Sequence, residues 1–351
     1  HVGHLIPIVI QRRLQLAGHR PIAVVGGATG MIGDPSGRST ERNLLDKETL
    51  AKNVAGIRAQ LGRLLDFDAG PAGAMLTNNH DWFEGVSFLE FLREVGKHVT
   101  INYMLAKDSV RSRLEDRDSG LTYTEFSYML LQAWDFVVLS RDHGCRLQVG
   151  GSDQWGNITA GCELSRRLGG PQLWGLTAPL LLDGSGQKMG KTSTGERVWL
   201  DPAQTSSYAF FQYFVNVDDA IAPSMLKKFS FRPLAELDEI IAVHDTDHSK
   251  RHCQRELARD ITRWVHGDAG LVAAERATAV MFGGSLADAK DADLAPLASV
   301  VGVTAIPRAE LEAGLPLIDV LVRAELCSSK GDARRTITQG GVYVNNQRES
   351  A

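Results

Sequence analysis

The chain has 351 residues, 43% hydrophobic and 23% charged, with four scattered cysteines and a formal net charge of −4. That length suits two or three domains with sizeable cores, and the composition is ordinary for a globular protein. No apolar run reaches about 18 residues, which excludes a membrane-spanning helix, and the acidic balance means that an RNA partner must be met by local basic patches.

In chain order, Leu5–Leu16 carries apolar residues at helical spacing, with Pro7 in the tolerant first turn and Gly18 as a C-terminal cap. Pro21–Val25 is a short apolar run entering Gly26-Gly27, the pattern of a buried parallel strand. Asp46 opens a helix through Leu65, with Glu48 near its positive end. Strand-like runs recur at Ala74–Thr77, Val99–Ile101 and Cys145–Val149, separated by helical segments; Thr122 and Glu125 form a capping box for a helix reaching Asp135 or beyond. This alternation predicts an α/β fold, a Rossmann-like doubly wound parallel sheet over residues 1–200.

After Asp201 the texture becomes helical, with helices expected at Tyr208–Phe214, Ser224–Phe229, Ala235–Val243, Lys250–Val265 and Leu271–Phe282. An all-helical domain is expected over 201–287, a linker over 288–314 and a small α+β tail domain over 315–351. In the tail a helix over 316–325, a Ser328-Ser329-Lys330 cap, a basic helix near Arg334-Arg335 and a tight strand–turn over Gly340–Asn346 are expected. Cys145, Cys162, Cys253 and Cys327 show no C-x-x-C pairing, which argues for a reducing, cytoplasmic compartment and against a disulfide framework or structural zinc. The chain opens at His1 within a motif-like segment and stops at Ala351 after a hairpin-like one, and both ends read as truncated.

Several segments carry chemistry. The glycine-rich stretch Gly26–Gly37 follows a strand, as a ligand loop should, yet it lacks the G-K-[ST] of a P-loop and the G-x-G-x-x-G of a dinucleotide fingerprint. A tight turn that merely needs glycine is the bland alternative. Its use would be close backbone approach to a small ligand, with Asp34 offering a negative charge to an ammonium group. His1 and His4 sit three apart at a helix start, where side chains and orphan N–H groups can face an anion. The alternatives are surface histidines or a metal site, but no Cys/His cluster accompanies them. Gly3 between them would let a flat ring lie against the backbone.

Tyr128, Gln132 and Asp135 share one face of a helix that is otherwise apolar nearly all round, so a buried polar stripe needing partners is expected. Gly150–Asn157 joins a strand end to a helix; Asp153 suits a ribose diol and Gln154 a substrate carboxylate or carbonyl, although Ser152 or Asp153 as a plain helix cap is the alternative. Lys188 and Lys191 lie in a glycine- and serine-rich loop, and each brought within about 4 Å of a phosphate oxygen gains on the order of 4 kcal/mol before desolvation. A solvated basic loop is the alternative. Arg38 and Arg42 could add charge from the other side.

Together these segments resemble the bacterial tyrosyl-tRNA synthetases, class I aminoacyl-tRNA synthetases. His1-Val2-Gly3-His4 is similar to the class I HIGH motif and Lys188-Met189-Gly190-Lys191-Thr192 to the KMSKS motif; Gly27–Gly37, Glu125–Asp135 and Gly150–Gly161 match long blocks of the family. The resemblance implies that His1, His4, Lys188, Lys191 and Thr192 handle ATP phosphates, with Arg38 and Arg42 on a mobile loop closing on pyrophosphate. It implies Gly3 under adenine and Gly151 and Asp153 near the ribose. Thr29, Asp34, Tyr128 and Gln132 would hold the tyrosine ammonium, Gln154 its carboxylate and Asp135 its phenol. It further implies that ATP is a substrate bringing Mg2+, that the protein binds no metal of its own, and that the partners are tyrosine, tRNA(Tyr) and a second subunit docked through the α/β domain.

By the same resemblance, residues 1–200 are the catalytic domain with the family's first strand missing upstream of His1, 201–287 an anticodon-binding domain, and 315–351 part of an RNA-binding tail. Anticodon-stem contacts are expected from Lys227, Lys228, Lys250, Arg251, Arg255, Arg259 and Arg263. A nucleotidyltransferase without RNA would leave the helical domain and tail unexplained. A non-catalytic RNA-binding relative should have lost some of the phosphate-facing groups, which are all here.

Overall fold

In the computed structural model, residues 1–34, 46–107, 110–111, 114, 121–184, 186, 189–190, 195–283, 297 and 301–349 are described. They fall into two compact units, His1–Gly190 and Lys191–Ala351.

In the first unit a single 3-10 turn, Val2–His4, runs into helix α1 (Leu5–Leu16), which buries Leu5, Ile6 and Val9. Strand β1 (Ile22–Val25) pairs in parallel with β2 (Met75–Asn78), Ile22 opposite Met75 and Val25 opposite Asn78. Between them runs α2 (Lys47–Leu64), which starts where the Asp46 carboxylate accepts the Thr49 N–H at 2.8 Å, a bond that also holds that carboxyl below its usual range. Helix α3 (Tyr123–His143) opens on the expected Thr122/Glu125 capping box and stops at Gly144 in the left-handed conformation. A second parallel pair follows, β3 (Leu147–Gly151) beside β4 (Trp174–Ala178), joined by α4 (Trp155–Arg167).

Strand–helix–strand units with parallel strands define the α/β architecture. Among the described residues the strands form two parallel pairs, and β1 and β3 line the same cavity. Met129 and Ala133 of α3 pack with Ala160 and Leu164 of α4, together with Val95, Met104 and Val110, into a dry core. That core fixes one side of α3 and leaves its other side facing the cavity. Val99–Ile101, expected as a strand, is instead a helix entrance. Thr100 accepts the Tyr103 N–H at 3.3 Å and caps the helix Ile101–Leu105, a local bond that competes with strand pairing.

The second unit begins with helices. Helices α5 (Ser207–Val215), α6 (Ala222–Phe229) and α7 (Leu234–Thr246) pack on α8 (His252–Met281), which is broken at Gly267 (φ 74°, ψ 177°). That break separates the two helices expected from the sequence. Phe210, Phe214 and Phe229 are fully buried at the centre, with the Phe210 and Phe214 rings 5.2 Å apart. Arg232 ties two elements together, reaching Asp260 at 2.7 Å and Glu256 at 2.8 Å on α8.

The tail holds α9 (Leu317–Arg323), α10 (Lys330–Thr338) capped by Ser329, and an antiparallel hairpin of β5 (Tyr343–Val344) and β6 (Gln347–Arg348). Asn345 and Asn346 both take positive φ, 51° and 62°, as a tight two-residue hairpin turn requires. Leu321, Cys327, Ala333 and Val342 form its small core.

Candidate active site

The opening turn folds on itself and against the distant lysine-bearing segment. His1 Nδ1 accepts the Gly3 N–H at 3.1 Å, and the His1 and His4 rings lie 4.1 Å apart. A methyl group on Gly3 would stand 2.9 Å from the His1 ring and 3.3 Å from the Met189 carbonyl oxygen. Gly190, at φ 124°, places its own would-be Cβ 3.2 Å from His1 Nδ1. The backbone of Met189-Gly190 therefore backs directly onto His1 and Gly3, and glycine at both positions permits the approach. Lys188, Lys191 and Thr192, which flank that backbone, lie outside the described residues, as do Arg38 and Arg42.

A cavity of about 810 Å³ opens beside α3, lined among others by Thr29, Asn79, Tyr128, Gln132, Asp135 and Gln154. Two polar clusters stand in this region. In the first, buried Asn79 donates to Thr29 Oγ1 at 2.8 Å and to Asp135 Oδ2 at 3.1 Å, and its Oδ1 accepts the Ala28 N–H at 2.7 Å. The Trp82 indole N–H donates to the other Asp135 oxygen at 2.8 Å. Burial nonetheless dominates and pushes the Asp135 carboxyl up to about 7, with the two donors pulling the other way.

In the second cluster Gln154 is the hub. Its Nε2 donates to Asp34 Oδ2 at 2.8 Å, and its Oε1 accepts from Asn157 at 3.2 Å and Gln132 at 3.3 Å. Gln132 Oε1 is buried with no partner among the described residues, an acceptor left for something else. Gly151 and Asp153 sit at the C-terminal end of β3, where a Cβ on Gly151 would crowd Asp153 Oδ1 at 2.7 Å.

Thr29, Tyr128, Gln132, Asp135 and Gln154 thus share one cavity wall, and Asp34 is bonded to it through Gln154. Asn79 and Trp82 were not singled out from the sequence. The readable signal was there: Asn78-Asn79-His80-Asp81-Trp82 is a polar run at the end of β2, where ligand-facing groups collect in parallel sheets.

A family model described as tRNA synthetases class I (W and Y) matches residues 1–283, and one described as the tyrosine–tRNA ligase SYY-like C-terminal domain matches residues 300–351. The chain belongs to the class I tRNA synthetases of the tryptophan and tyrosine group. The tyrosine–tRNA ligase of Roseiflexus castenholzii is 51% identical over 347 residues, covering 99% of this chain and 81% of that one. That of Rhodopirellula baltica is 53% identical over 349 residues, covering 99% and 79%. Within the class, the chain groups with the tyrosine–tRNA ligases. Among solved structures, a C-terminally truncated Aspergillus nidulans mitochondrial tyrosyl-tRNA synthetase is similar at a TM-score of 0.68 and 32% identity, covering 78% of this chain and 80% of that one.

Proposed function

We propose that this chain activates tyrosine with ATP and transfers the tyrosyl group to the 3′-terminal adenosine of tRNA(Tyr). In the first step a tyrosine carboxylate oxygen bonds to the α-phosphorus of ATP, the bond to the bridging oxygen breaks, and pyrophosphate leaves; Mg2+ brought by the nucleotide would offset the phosphate charge. In the second, the terminal ribose hydroxyl attacks the adenylate carbonyl and AMP departs. No protein nucleophile is required, so rate comes from positioning and from charge placed where the phosphates develop it.

The observation that carries the reading is Asp135. Each of its carboxylate oxygens already accepts one N–H donor, from Asn79 or Trp82, which leaves lone pairs for a phenolic O–H. A phenylalanine ring in the same place would strip water from that buried carboxylate without supplying the third hydrogen bond, and that cost is the basis for discrimination. The tyrosine ammonium, with three N–H donors, would lie among Asp34, Tyr128, Thr29 and Gln132, whose Oε1 has no partner among the described residues, with Gln154 at the carboxylate. His1, His4, Lys188, Lys191, Thr192, Arg38 and Arg42 are assigned to the phosphates. Gly3, Gly151 and Asp153 are assigned to the adenosine. The packing of Met189-Gly190 on His1 and Gly3 supports bringing both phosphate-binding segments to one nucleotide.

Partner assignments follow the same logic. The helical region and the tail would hold tRNA, and a second subunit would cover the α/β unit, where Phe88, Leu89 and Ile101 are more than half exposed. Among the described residues no helix is long and apolar enough to cross a membrane, and action in the cytoplasm fits the substrates. The test is ATP–pyrophosphate exchange with tyrosine, phenylalanine or tryptophan as the only amino acid, followed by tRNA charging. Exchange with tyrosine alone is expected; equal exchange with tryptophan, or none with tyrosine, would overturn the assignment.

A further inference from the structure

Away from the cavity, at the end of α7, three potential metal ligands converge. His244 closes that helix and is fully buried, while His248 in the following 3-10 turn is exposed. His248 Nδ1 lies 3.1 Å from His244 Nε2, and the rings stand 4.5 Å apart at 88°. Exposed Asp219, from the turn before α6, brings a carboxylate oxygen so that the three ligand atoms all lie within 4.8 Å of one another.

Two features go beyond chance proximity. Two imidazole nitrogens facing each other at 3.1 Å can share one proton, or both can turn their lone pairs onto one cation. Bonds of about 2.0–2.1 Å at tetrahedral angles put the nitrogens about 3.4 Å apart, a few tenths of an ångström from where they stand. The carboxylate is also held from behind: fully buried Gln254 donates to Asp219 Oδ1 at 2.5 Å and to the Val217 carbonyl at 3.3 Å. Such outer bonds orient first-layer ligands in protein metal sites. The chain leaves α7 at Asp247 and turns back in the 3-10 turn, which is what sets the His248 ring against that of His244.

We propose that Asp219, His244 and His248 form a binding site for a divalent transition cation, zinc being the best match to two imidazoles and one carboxylate. Water completes the tetrahedron from the solvent side, where Asp219 and His248 are exposed. The ion links the turn before α6 to the end of α7, with Gln254 at the start of α8 behind the carboxylate. Its effect is to stabilise this helical region rather than to take part in the proposed reaction.

The test uses the full chain stripped with chelator and titrated with zinc chloride by calorimetry, with thermal melting as a second readout. The chain expected is one that binds one zinc and melts higher when loaded, because a ligand that binds only the folded state stabilises it by mass action. His248→Ala and Asp219→Asn each change an exposed residue and should weaken zinc affinity by more than the roughly 10–100-fold that loss of an outer partner costs, while leaving tyrosine-dependent exchange intact. Cobalt in place of zinc should give the visible spectrum of a tetrahedral nitrogen and oxygen site without sulfur. His4→Ala serves as the control for the other histidine pair. Zinc affinity unchanged in His248→Ala, or lost in His4→Ala, overturns the proposal; so does a stripped chain with no affinity above that of a surface histidine.

Discussion

The Trp82 indole donates its N–H to Asp135 Oδ1 at 2.8 Å, joining the turn after β2 to the middle of α3. With the Asn79 bond, it opposes the burial that raises the Asp135 carboxyl to about 7. Replacing Trp82 with Phe removes it while keeping an aromatic ring. The carboxyl should then titrate higher still. Because the proposed role requires an ionised acceptor, the acidic limb of kcat/KM for tyrosine should move to higher pH. Loss of one donor to a charged, buried group corresponds to roughly 1.5–3 kcal/mol in kcat/KM near neutrality. A pH profile of pyrophosphate exchange measures both effects; an unchanged limb would remove Asp135 from phenol recognition.

The same carboxyl should leave a mark on folding. Its value rises from 3.8 unfolded to about 7 folded, so between those values the folded state binds the proton more tightly. Its contribution to stability is therefore full below 3.8 and is lost as pH climbs towards 7. Glu163 runs the other way, held down to about 2 by Arg166 and Arg167, so its contribution is full above 4.5 and is lost as pH falls towards 2. Comparing melting of the wild type with Asp135→Asn isolates the Asp135 part. The difference between the two should grow in favour of the variant from pH 5 to pH 8; a constant difference would contradict the raised carboxyl.

Gly3→Ala and Gly190→Ala test the contact between the opening turn and the Met189-Gly190 backbone. The first forces a methyl group to 2.9 Å from the His1 ring, and the second adds a side chain at φ 124°. Overpacking or backbone strain of this kind costs about 1–3 kcal/mol. Since the cost falls where phosphate binding is proposed, exchange should drop roughly tenfold or more while circular dichroism stays native. Full activity in both variants would show that this contact is dispensable.

How far the sequence showed this arrangement depends on the range of the interaction. Helix starts rest on neighbours a turn away: Asp46 with Thr49, Thr122 with Glu125 and Ser329 with Asp332 were all readable and all form. The segment Val99–Ile101 misled because β-branched residues suggested a strand, whereas the cap formed by Thr100 decided the outcome. The polar stripe on α3 was visible from spacing, but the partners of Asp135 come from 50 or more residues away, so Asn79 and Trp82 were missed. His244 and His248 were passed over for a similar reason. Their spacing suited a cation, yet Asp219 and Gln254 come from two other elements, and only folding brings them alongside.

The basic residues of α6–α8 divide by what they already touch. Lys227 pairs with Asp238 at 2.7 Å, Arg259 with Glu256 at 2.5 Å and Glu275 at 2.8 Å, and Arg263 with Asp268 at 3.1 Å. Reversing those charges would turn existing attractions within the helical region into repulsions and blur the readout. Lys250 and Arg255 are better probes: both are exposed and line one small basic pocket with His252 and Arg259, and the Lys250–Asp247 pair at 3.3 Å is a surface contact of little energy. Lys250→Glu with Arg255→Glu should leave melting temperature and tyrosine-dependent exchange near wild type. It should lower tRNA charging by tenfold or more and flatten its dependence on salt by roughly two phosphate contacts. Equal losses in exchange and charging would place the tRNA surface elsewhere on the helical region.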